Sequence, residues 1–453
     1  MQSPLKIGII GAGFSGTAFA ANLRRLNSQR QLEIVLCDKS GRFGVGPAYS
    51  TPFQYHLLNV RAADMSAMVD DLQHFMHWLA AKKKNADYLD KQLPLADQMV
   101  PRCFYYEYLQ ELLQVVLGDQ SFSLTPVADE VVNVHCEKNK TQLCFKHKEP
   151  ILVDKVVIAT GNYPPPRFPF PVANTINRID YPWDYTAIQH IDKKAPVLIV
   201  GMGLSMIDAV LSLQQQAHEG DVFAVSRHGL LPLPHHDHGR ECTLDTDVFS
   251  GSLHQISRRI RSRAAAHETQ GGDWRDVITA LRLHLKDQWA ASHSNTKQQF
   301  LRHLLPYWNI HRHRVHAGIM QSLQQWLDKK QLHLLAGRVM HVADEAAHIK
   351  MRHTQTVQAI PVQWVINCMG PSSFINEQQP LLHALLTRRD AVLDPTRLGF
   401  AVNDVGALYN AAGQPSTLLY ALGAPTRGVT WVNAVPDIRK QIDALTRHLL
   451  AMP

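Results

Sequence analysis

No two of the six cysteines, at 37, 103, 136, 144, 242 and 368 in a chain of 453 residues, are spaced C-x-x-C. That spacing gives no disulfide framework and no redox-active cysteine pair to relay electrons. It fits thiols kept reduced in a cytoplasmic protein. The chain also lacks an apolar run of the roughly 20 residues a bilayer requires. Its earliest such run is cut by Gly8 and Gly11 and reads as a strand, not as a signal peptide. There is no G-x-S-x-G elbow for a nucleophilic serine. The clustered histidines, His235, His236 and His238 and then His311, His313 and His316, lack the i, i+4 pair with a glutamate base that marks a zinc hydrolase. No metal is expected.

Acidic residues are fewer than basic ones, 39 against 46, for a net charge of +7. The densest basic runs are Lys82-Lys83-Lys84 and Arg258-Arg259-Ile260-Arg261-Ser262-Arg263. Neither is interleaved with aromatics for stacking on bases. They read as solvated helix faces, so neither nucleic acid nor a membrane is an expected partner. With 45% hydrophobic and 19% charged residues, the composition is that of a soluble globular protein. The length calls for two or three domains.

Two glycine fingerprints, about 190 residues apart, carry most of the information. The first is Gly8-Ile9-Ile10-Gly11-Ala12-Gly13-Phe14-Ser15-Gly16, and the second Val200-Gly201-Met202-Gly203-Leu204-Ser205. Each follows a short apolar run and opens a helical pattern, the context that turns G-x-G-x-x-G into a dinucleotide site. The first glycine makes the tight turn, the second lets a pyrophosphate approach the backbone, and the third lets helix and strand pack closely. The helix N-terminus then offers N–H groups and a positive dipole end to the phosphates. Two sites imply two dinucleotides, FAD and a nicotinamide nucleotide. The fold class is therefore α/β, with two Rossmann-like domains.

At the first site the strand Leu32–Cys37 ends at Asp38, 22 residues past Gly16. That spacing suits a ribose hydroxyl ligand and rejects a 2′-phosphate. The site is read as the FAD site. The Gly-rich stretch Gly41–Thr51 reads as a loop passing close to a ring or a phosphate. A β-branched strand then ends in Ala159-Thr160-Gly161. At the second site the third glycine is replaced by Met206, and Ser205 offers a hydroxyl near the pyrophosphate. The following strand, Asp221–Val225, ends in Ser226-Arg227-His228. An arginine in place of an acid fits a 2′-phosphate, held by its planar fork. NADPH is read in preference to NADH.

Residues 1–168 are read as the first part of the FAD domain and 190–368 as the NADP domain. The NADP domain carries a helical insertion over about 250–330, where apolar residues recur every three to four positions. Residues 369–453, entered through Gly370, return to the FAD domain.

The strand ending in A-T-G after an N-terminal G-x-G-x-x-G resembles the layout of two-dinucleotide flavoproteins. The sequence is similar, nearly end to end, to a bacterial group of FAD/NAD(P)-binding proteins related to class B flavin monooxygenases. The strings that carry the likeness are His56–Ser66, Val100-Pro101-Arg102, Gly272–Val277, Tyr307–Arg314 and Ala434–Arg439. The resemblance implies further cofactor contacts at Lys39, Val132, Gly423 and Val432. It places Leu418–Gly428 beside the flavin, with Gly423-Ala424 where most relatives carry Gly-Asp. A helix from about 434 would aim its N-terminus there.

FAD beside NADPH implies an oxidoreductase that moves a hydride from nicotinamide to flavin. Three outcomes stay open: hydroxylation of a small metabolite with O2, electron transfer to an organic acceptor, and a redox sensor without turnover. Asn59 resembles an amide beside the flavin in class B monooxygenases. It is read as catalytic with Arg102, in a cleft covered by the insertion around Trp308. Arg102 or Arg312 would hold an acidic substrate. Against oxygenation, the F-x-G-x-x-x-H string of those monooxygenases is missing. Arg178-Ile179-Asp180-Tyr181-Pro182-Trp183 stands there instead. The oligomeric state is not legible.

Overall fold

The structure is a computed structural model that describes residues 4–27, 30–82, 93–120, 122–236, 239–372, 379–430 and 434–452. Val432, Lys83, Lys84 and His238 lie outside the described residues. In chain order, β1 (Leu5–Ile10), α1 (Phe14–Leu26) and β2 (Leu32–Asp38) come first. They are followed by α2 (His74–Lys82), α3 (Arg102–Leu117), β3 (Ser123–Ala128), β4 (Val131–Glu137), β5 (Lys140–Phe145), β6 (Ile151–Val153) and β7 (Lys155–Ile158). The middle of the chain holds β8 (Asn177–Ile179), α4 (Tyr185–Gln189), β9 (Val197–Val200), α5 (Leu204–Gln215) and β10 (Val222–Ser226). Then comes a run of helices: α6 (Leu253–Thr269), α7 (Trp274–Ala291), α8 (Ser294–Gln299), α9 (Leu305–Arg312) and α10 (Ala317–Asp328). Strands β11 (Leu332–Ala343), β12 (Ala346–Met351), β13 (Val357–Pro361) and β14 (Trp364–Asn367) close this part. The last elements are α11 (Pro380–Thr387), β15 (Ala407–Tyr409), β16 (Pro415–Ala421), α12 (Arg427–Thr430) and α13 (Val435–Leu450).

The chain divides into two compact units, one of residues 1–163 with 373–453, the other of residues 164–372. In the first unit six strands run in the order β15-β16-β7-β1-β2-β3, and β4, β5 and β6 form a separate three-stranded sheet. Strands β16, β7, β1, β2 and β3 are mutually parallel, and β15 is antiparallel at the edge. The apolar runs of β1 and β2 have no polar face because both faces of the sheet are covered. Ile7, Ile9, Ile34, Leu36 and Val157 point into one core with Phe19 and Leu23 of α1. Ile10, Val35, Cys37, Val156 and Ile158, one residue out of phase, point into the other. Helix α1 packs on α3 and α13. It buries every residue from Phe14 to Leu23, which explains its small side chains.

The second unit repeats the central arrangement. Its sheet runs β13-β12-β11-β10-β9-β14-β8. Strands β11, β10, β9, β14 and β8 are parallel, and β12 and β13 return as an antiparallel meander. In each sheet the fingerprint strand lies between the strand that follows it in its βαβ unit (β2, β10) and a strand from much later in the chain (β7, β14). Helices α6 to α10 occupy 253–328, with a small apolar core of their own around Leu244, Val248, Val277, Ala280 and Leu281.

Candidate functional site

The two glycine turns are local copies of each other. Gly11 donates its N–H to the Cys37 carbonyl (2.8 Å), and Gly201 donates to Val225 (2.9 Å). Ala159 donates to Ile10 and Cys368 to Val200, both at 2.8 Å. Both first glycines have positive φ, 105° at Gly11 and 104° at Gly201, a region costly for any side chain. A Cβ on Gly11 would stand 2.4 Å from the Ala159 carbonyl oxygen, and one on Gly201 2.1 Å from that of Cys368. A Cβ on Gly16 would stand 2.0 Å from the Gly11 oxygen. These three glycines are required by the protein itself.

Other fingerprint glycines are different. Gly13 and Gly203 are the N-cap residues of α1 and α5, with ordinary φ of −75° and −90°. A Cβ on Gly13 would meet only Gly46, no nearer than 3.5 Å, and one on Gly203, Gly161 or Gly370 would meet nothing within 4 Å. Open space above a helix N-terminus whose first N–H groups have no intrahelical partner is a cradle for phosphate. The residues present therefore fit a dinucleotide in each unit. A contrast follows. Gly201→Ala should cost about 2–4 kcal/mol through strain and clash, read as a fall in thermal midpoint. Gly203→Ala should leave the fold intact and weaken only nicotinamide-nucleotide binding.

Around the first turn, Gly44 donates its N–H to the Ala12 carbonyl (2.9 Å), and Gly46 packs its Cα near that of Gly13. The Gly-rich loop thus returns to the fingerprint. Asp38, at the end of β2, accepts the Ala12 N–H (3.0 Å) on one oxygen and the Ser40 N–H and hydroxyl on the other. It pins the glycine turn directly, and its spare lone pairs remain available to a ribose. Lys39 is exposed beside it and Val132 lies half-buried in β4. Thr160 shares a hydrogen bond with the Tyr163 hydroxyl (3.0 Å). Ser15 is buried in the first turn of α1, and a Cβ on Gly423, which follows β16, would come within 2.6 Å of its hydroxyl.

Asn59 and Arg102 also belong to the first unit, and their segments are paired. Leu57 bridges Pro101, Leu58 donates to Val100, Ala62 donates to Gln98, and the Arg102 N–H donates to His56. The Arg102 guanidinium donates from Nε to the Leu57 carbonyl (2.9 Å), while Asn59 is exposed. Two strings nearly forty residues apart in sequence thus form one ribbon. The same stretch makes side-chain contacts that its motifs did not announce: a buried Thr51–His56 hydrogen bond of 2.7 Å, and Tyr49 with its ring tilted against that of Tyr105, centroids 4.6 Å apart. Burial pushes the Tyr49 hydroxyl up to about 12, against the pull of the Arg102 charge.

In the second unit Ser205 lies half-buried in the first turn of α5 and Met206 is fully buried, so the missing third glycine is filled by core. The Ser226 hydroxyl accepts the Gly229 N–H (3.0 Å) and shapes the turn that presents Arg227. Arg227 is exposed. Arg352, 125 residues later, joins it there. Its N–H bonds the Ala336 carbonyl (2.8 Å) and its guanidinium reaches the Arg227 carbonyl (3.4 Å). Burial and the charges of Arg352 and Arg227 together hold the His228 imidazole below its usual range. This end of β10 is an exposed cationic edge, whose charge suits a phosphate.

The insertion meets this region. Tyr307 packs on His228 with ring centroids 5.6 Å apart, and Pro234 bridges Val315. Arg275 donates to the Pro234 carbonyl (2.9 Å) and lies over the Trp274 ring, which meets His311 edge-on. His316 caps α10 by accepting the Gly318 N–H. These histidines serve packing and capping, and no group of three metal-ligating side chains occurs among the described residues. The Trp308 indole N–H is buried and has no hydrogen-bond partner among them.

Residues 8–163 match a family model described as FAD-NAD(P)-binding. No curated protein resembles the chain in sequence. Among solved structures, the ornithine N-hydroxylase of Kutzneria sp. 744 aligns at TM-score 0.66 and 11% identity, over 98% of this chain and 99% of that one. L-lysine 6-monooxygenase from Pseudomonas syringae aligns at 0.65 and 13%, over 98% of each. Bacillithiol disulfide reductase from Staphylococcus aureus aligns at 0.59 and 13%, over 100% and 99%. At such identities the likeness speaks for the fold, two dinucleotide-binding domains in one chain. No helix among the described residues is long and apolar enough to cross a membrane.

Proposed function

We propose that this two-dinucleotide flavoprotein, an oxidoreductase dependent on FAD and NADPH, is a monooxygenase-like enzyme that hydroxylates a small metabolite with O2. Bound FAD supplies the redox chemistry, taking a hydride and passing electrons onward. The chain supplies the cradles: Gly13 and Gly161 in the first unit, with Asp38 as ribose ligand, and Gly203, Ser205 and Gly370 in the second. Arg227, with Arg352, selects the 2′-phosphate.

The observation that carries the oxygenation reading is the ribbon that joins Asn59 to Arg102 in the FAD-binding unit. Arg102 ties its guanidinium to Leu57 and so fixes the turn that exposes the Asn59 amide. An exposed amide can donate and accept at once, as contacts to nicotinamide and to an oxygen-bearing group require. The substrates named for the structural relatives, ornithine, lysine and cadaverine, are the first probes. An acidic group on the substrate would meet Arg102.

A second reading, NADPH-dependent reduction of an organic acceptor, draws support from the disulfide-reductase neighbour and from Tyr181 and Trp183, which pack edge to face at 5.1 Å where the monooxygenase histidine is absent. A C-x-x-C relay is not part of it, because no two of the six cysteines have that spacing, and Cys37 and Cys368 are buried, which raises both thiols.

Asn59→Ala tests the Asn59 role, and the wild type's electron acceptor decides between the readings. The variant should retain FAD and slow NADPH oxidation in air by about tenfold, the loss of one or two hydrogen bonds. Oxygen-electrode traces with each probe, read beside peroxide release, should show the wild type consuming O2 with NADPH and releasing less peroxide when a substrate is present. A wild type that consumes no O2 with NADPH, yet reduces quinone or dye acceptors, would hand the function to the second reading.

A further inference from the structure

Arg427 opens the short helix α12, four residues past Gly423 and six past the end of β16 at Ala421. Its side chain is largely buried, and it has no ion pair, hydrogen bond or ring contact among the described residues. Burial depresses its guanidinium below the ordinary arginine value, with no acid to counter the effect. The nearby carboxylate is committed elsewhere. Asp394 lies against Gly428, but its two oxygens accept the N–H and hydroxyl of Thr396 and the N–H of Gly399. A desolvated cation without a counter-charge is expensive to keep. A fold retains one where an anion comes to meet it.

The surroundings indicate which anion. Strand β16 pairs with β7, and β7 pairs with β1, which leads into the first glycine turn. Gly423 packs on Ser15 in the first turn of α1. It is held there by its N–H to the Gln441 side chain (2.8 Å) and by the Thr426 hydroxyl donating to its carbonyl (2.9 Å). The Arg427 loop is therefore fastened to the helix start that forms the FAD phosphate cradle. At the neighbouring position, 424, where the resemblance calls for an acid, stands Ala424. A carboxylate there would neutralise the arginine or repel the same anion.

We propose that Arg427 is the counter-ion for an anionic group of bound FAD, either the pyrophosphate or the negative charge the flavin ring carries once reduced. This rests on reading the first unit as the FAD site. The substitutions are Arg427→Gln, Arg427→Lys and the near-isosteric Arg427→Met, in the full chain. Fluorescence titration gives the affinity for FAD and for ADP, which shares the phosphates but has no flavin. Dye equilibration of the FAD-loaded protein gives the midpoint potential.

If the pyrophosphate is the partner, R427Q weakens FAD and ADP alike by about tenfold or more, as loss of a charged hydrogen bond should, and R427K recovers most of it. If the ring is the partner, FAD and ADP affinities stay within twofold and the midpoint potential falls. FAD affinity, ADP affinity and potential all unchanged in R427Q would overturn the proposal. So would an R427M chain that is less stable than wild type, or unfolded, without FAD, because removing an unpartnered buried cation should leave the FAD-free chain at least as stable. A defect in the first unit's FAD site as a whole would appear separately, as wild-type protein that binds neither FAD nor ADP.

Discussion

Gly13→Val yields a folded, colourless protein. The expectation follows from what surrounds Gly13. Its φ of −75° is open to any residue, and a Cβ there would meet the protein only at Gly46, 3.5 Å away. A methyl group is therefore tolerated by the polypeptide. The space that the valine branches take up is the space where a pyrophosphate must approach the backbone. FAD affinity should fall by more than a hundredfold for valine and by about tenfold for alanine. The thermal midpoint of Gly13→Val should match that of FAD-free wild type. Gly16→Ala is the control with opposite behaviour, since its Cβ would lie 2.0 Å from the Gly11 oxygen and the fold itself would suffer. A Gly13→Val protein isolated with full flavin content would remove the first fingerprint as the FAD site.

Arg227→Ala raises the NADPH constant by one to two orders of magnitude and leaves NADH nearly unchanged. Loss of one charge-assisted phosphate contact costs about 1.5–3 kcal/mol, and each 1.4 kcal/mol is tenfold. The exposed guanidinium of Arg227 stands at the end of β10, where the parent pattern has a carboxylate. Arg352 bonds the Arg227 backbone from the end of β12, so Arg352→Ala should act in the same direction with a smaller effect. Stopped-flow reduction with NADPH and NADH, at two ionic strengths, separates the cases. The NADPH preference of wild type should shrink as salt screens the phosphate contact. Equal effects of Arg227→Ala on both nucleotides would dismiss the 2′-phosphate role.

The parts legible in the sequence are those whose physics is local. A glycine turn between an apolar strand and a small-residue helix needs fewer than twenty consecutive residues, and both copies announce themselves. The doubling of the nucleotide fold follows from them, as does the helical insertion from its apolar spacing. What stayed hidden depends on long-range pairing. Arg352 reaches Arg227 only because β12 folds back beside β11, next to β10. The Thr51–His56 hydrogen bond and the tilted packing of Tyr49 on Tyr105 are contacts that no motif spells out, although Tyr49, Thr51 and His56 lie in segments the sequence singles out. The spacing of Asp38 suggested a ribose ligand, but gave no hint of its bond to the Ala12 N–H, which depends on how the turn closes. Arg427 was hidden because an arginine in a loop is ordinary until its burial and its lack of a partner are seen.

The first unit is discontinuous, and that has a consequence for how the chain acquires it. Strand β7 acquires its second neighbour only when β16 arrives, in a register that joins Val156 to Leu419. Until residue 421 has left the ribosome, β7 presents an open edge of unpaired backbone, the kind that invites pairing with another chain. The second unit needs nothing beyond residue 372 and can finish first. Synthesis at the usual 5–20 residues per second leaves that edge exposed for some tens of seconds, roughly 13–50 s between Ile158 and Ala421. On the proposed use of Gly13 early in the chain and Gly423 near its end, FAD capture is then a late event in biogenesis, and truncation after α11 should leave an aggregation-prone chain whose second unit is complete.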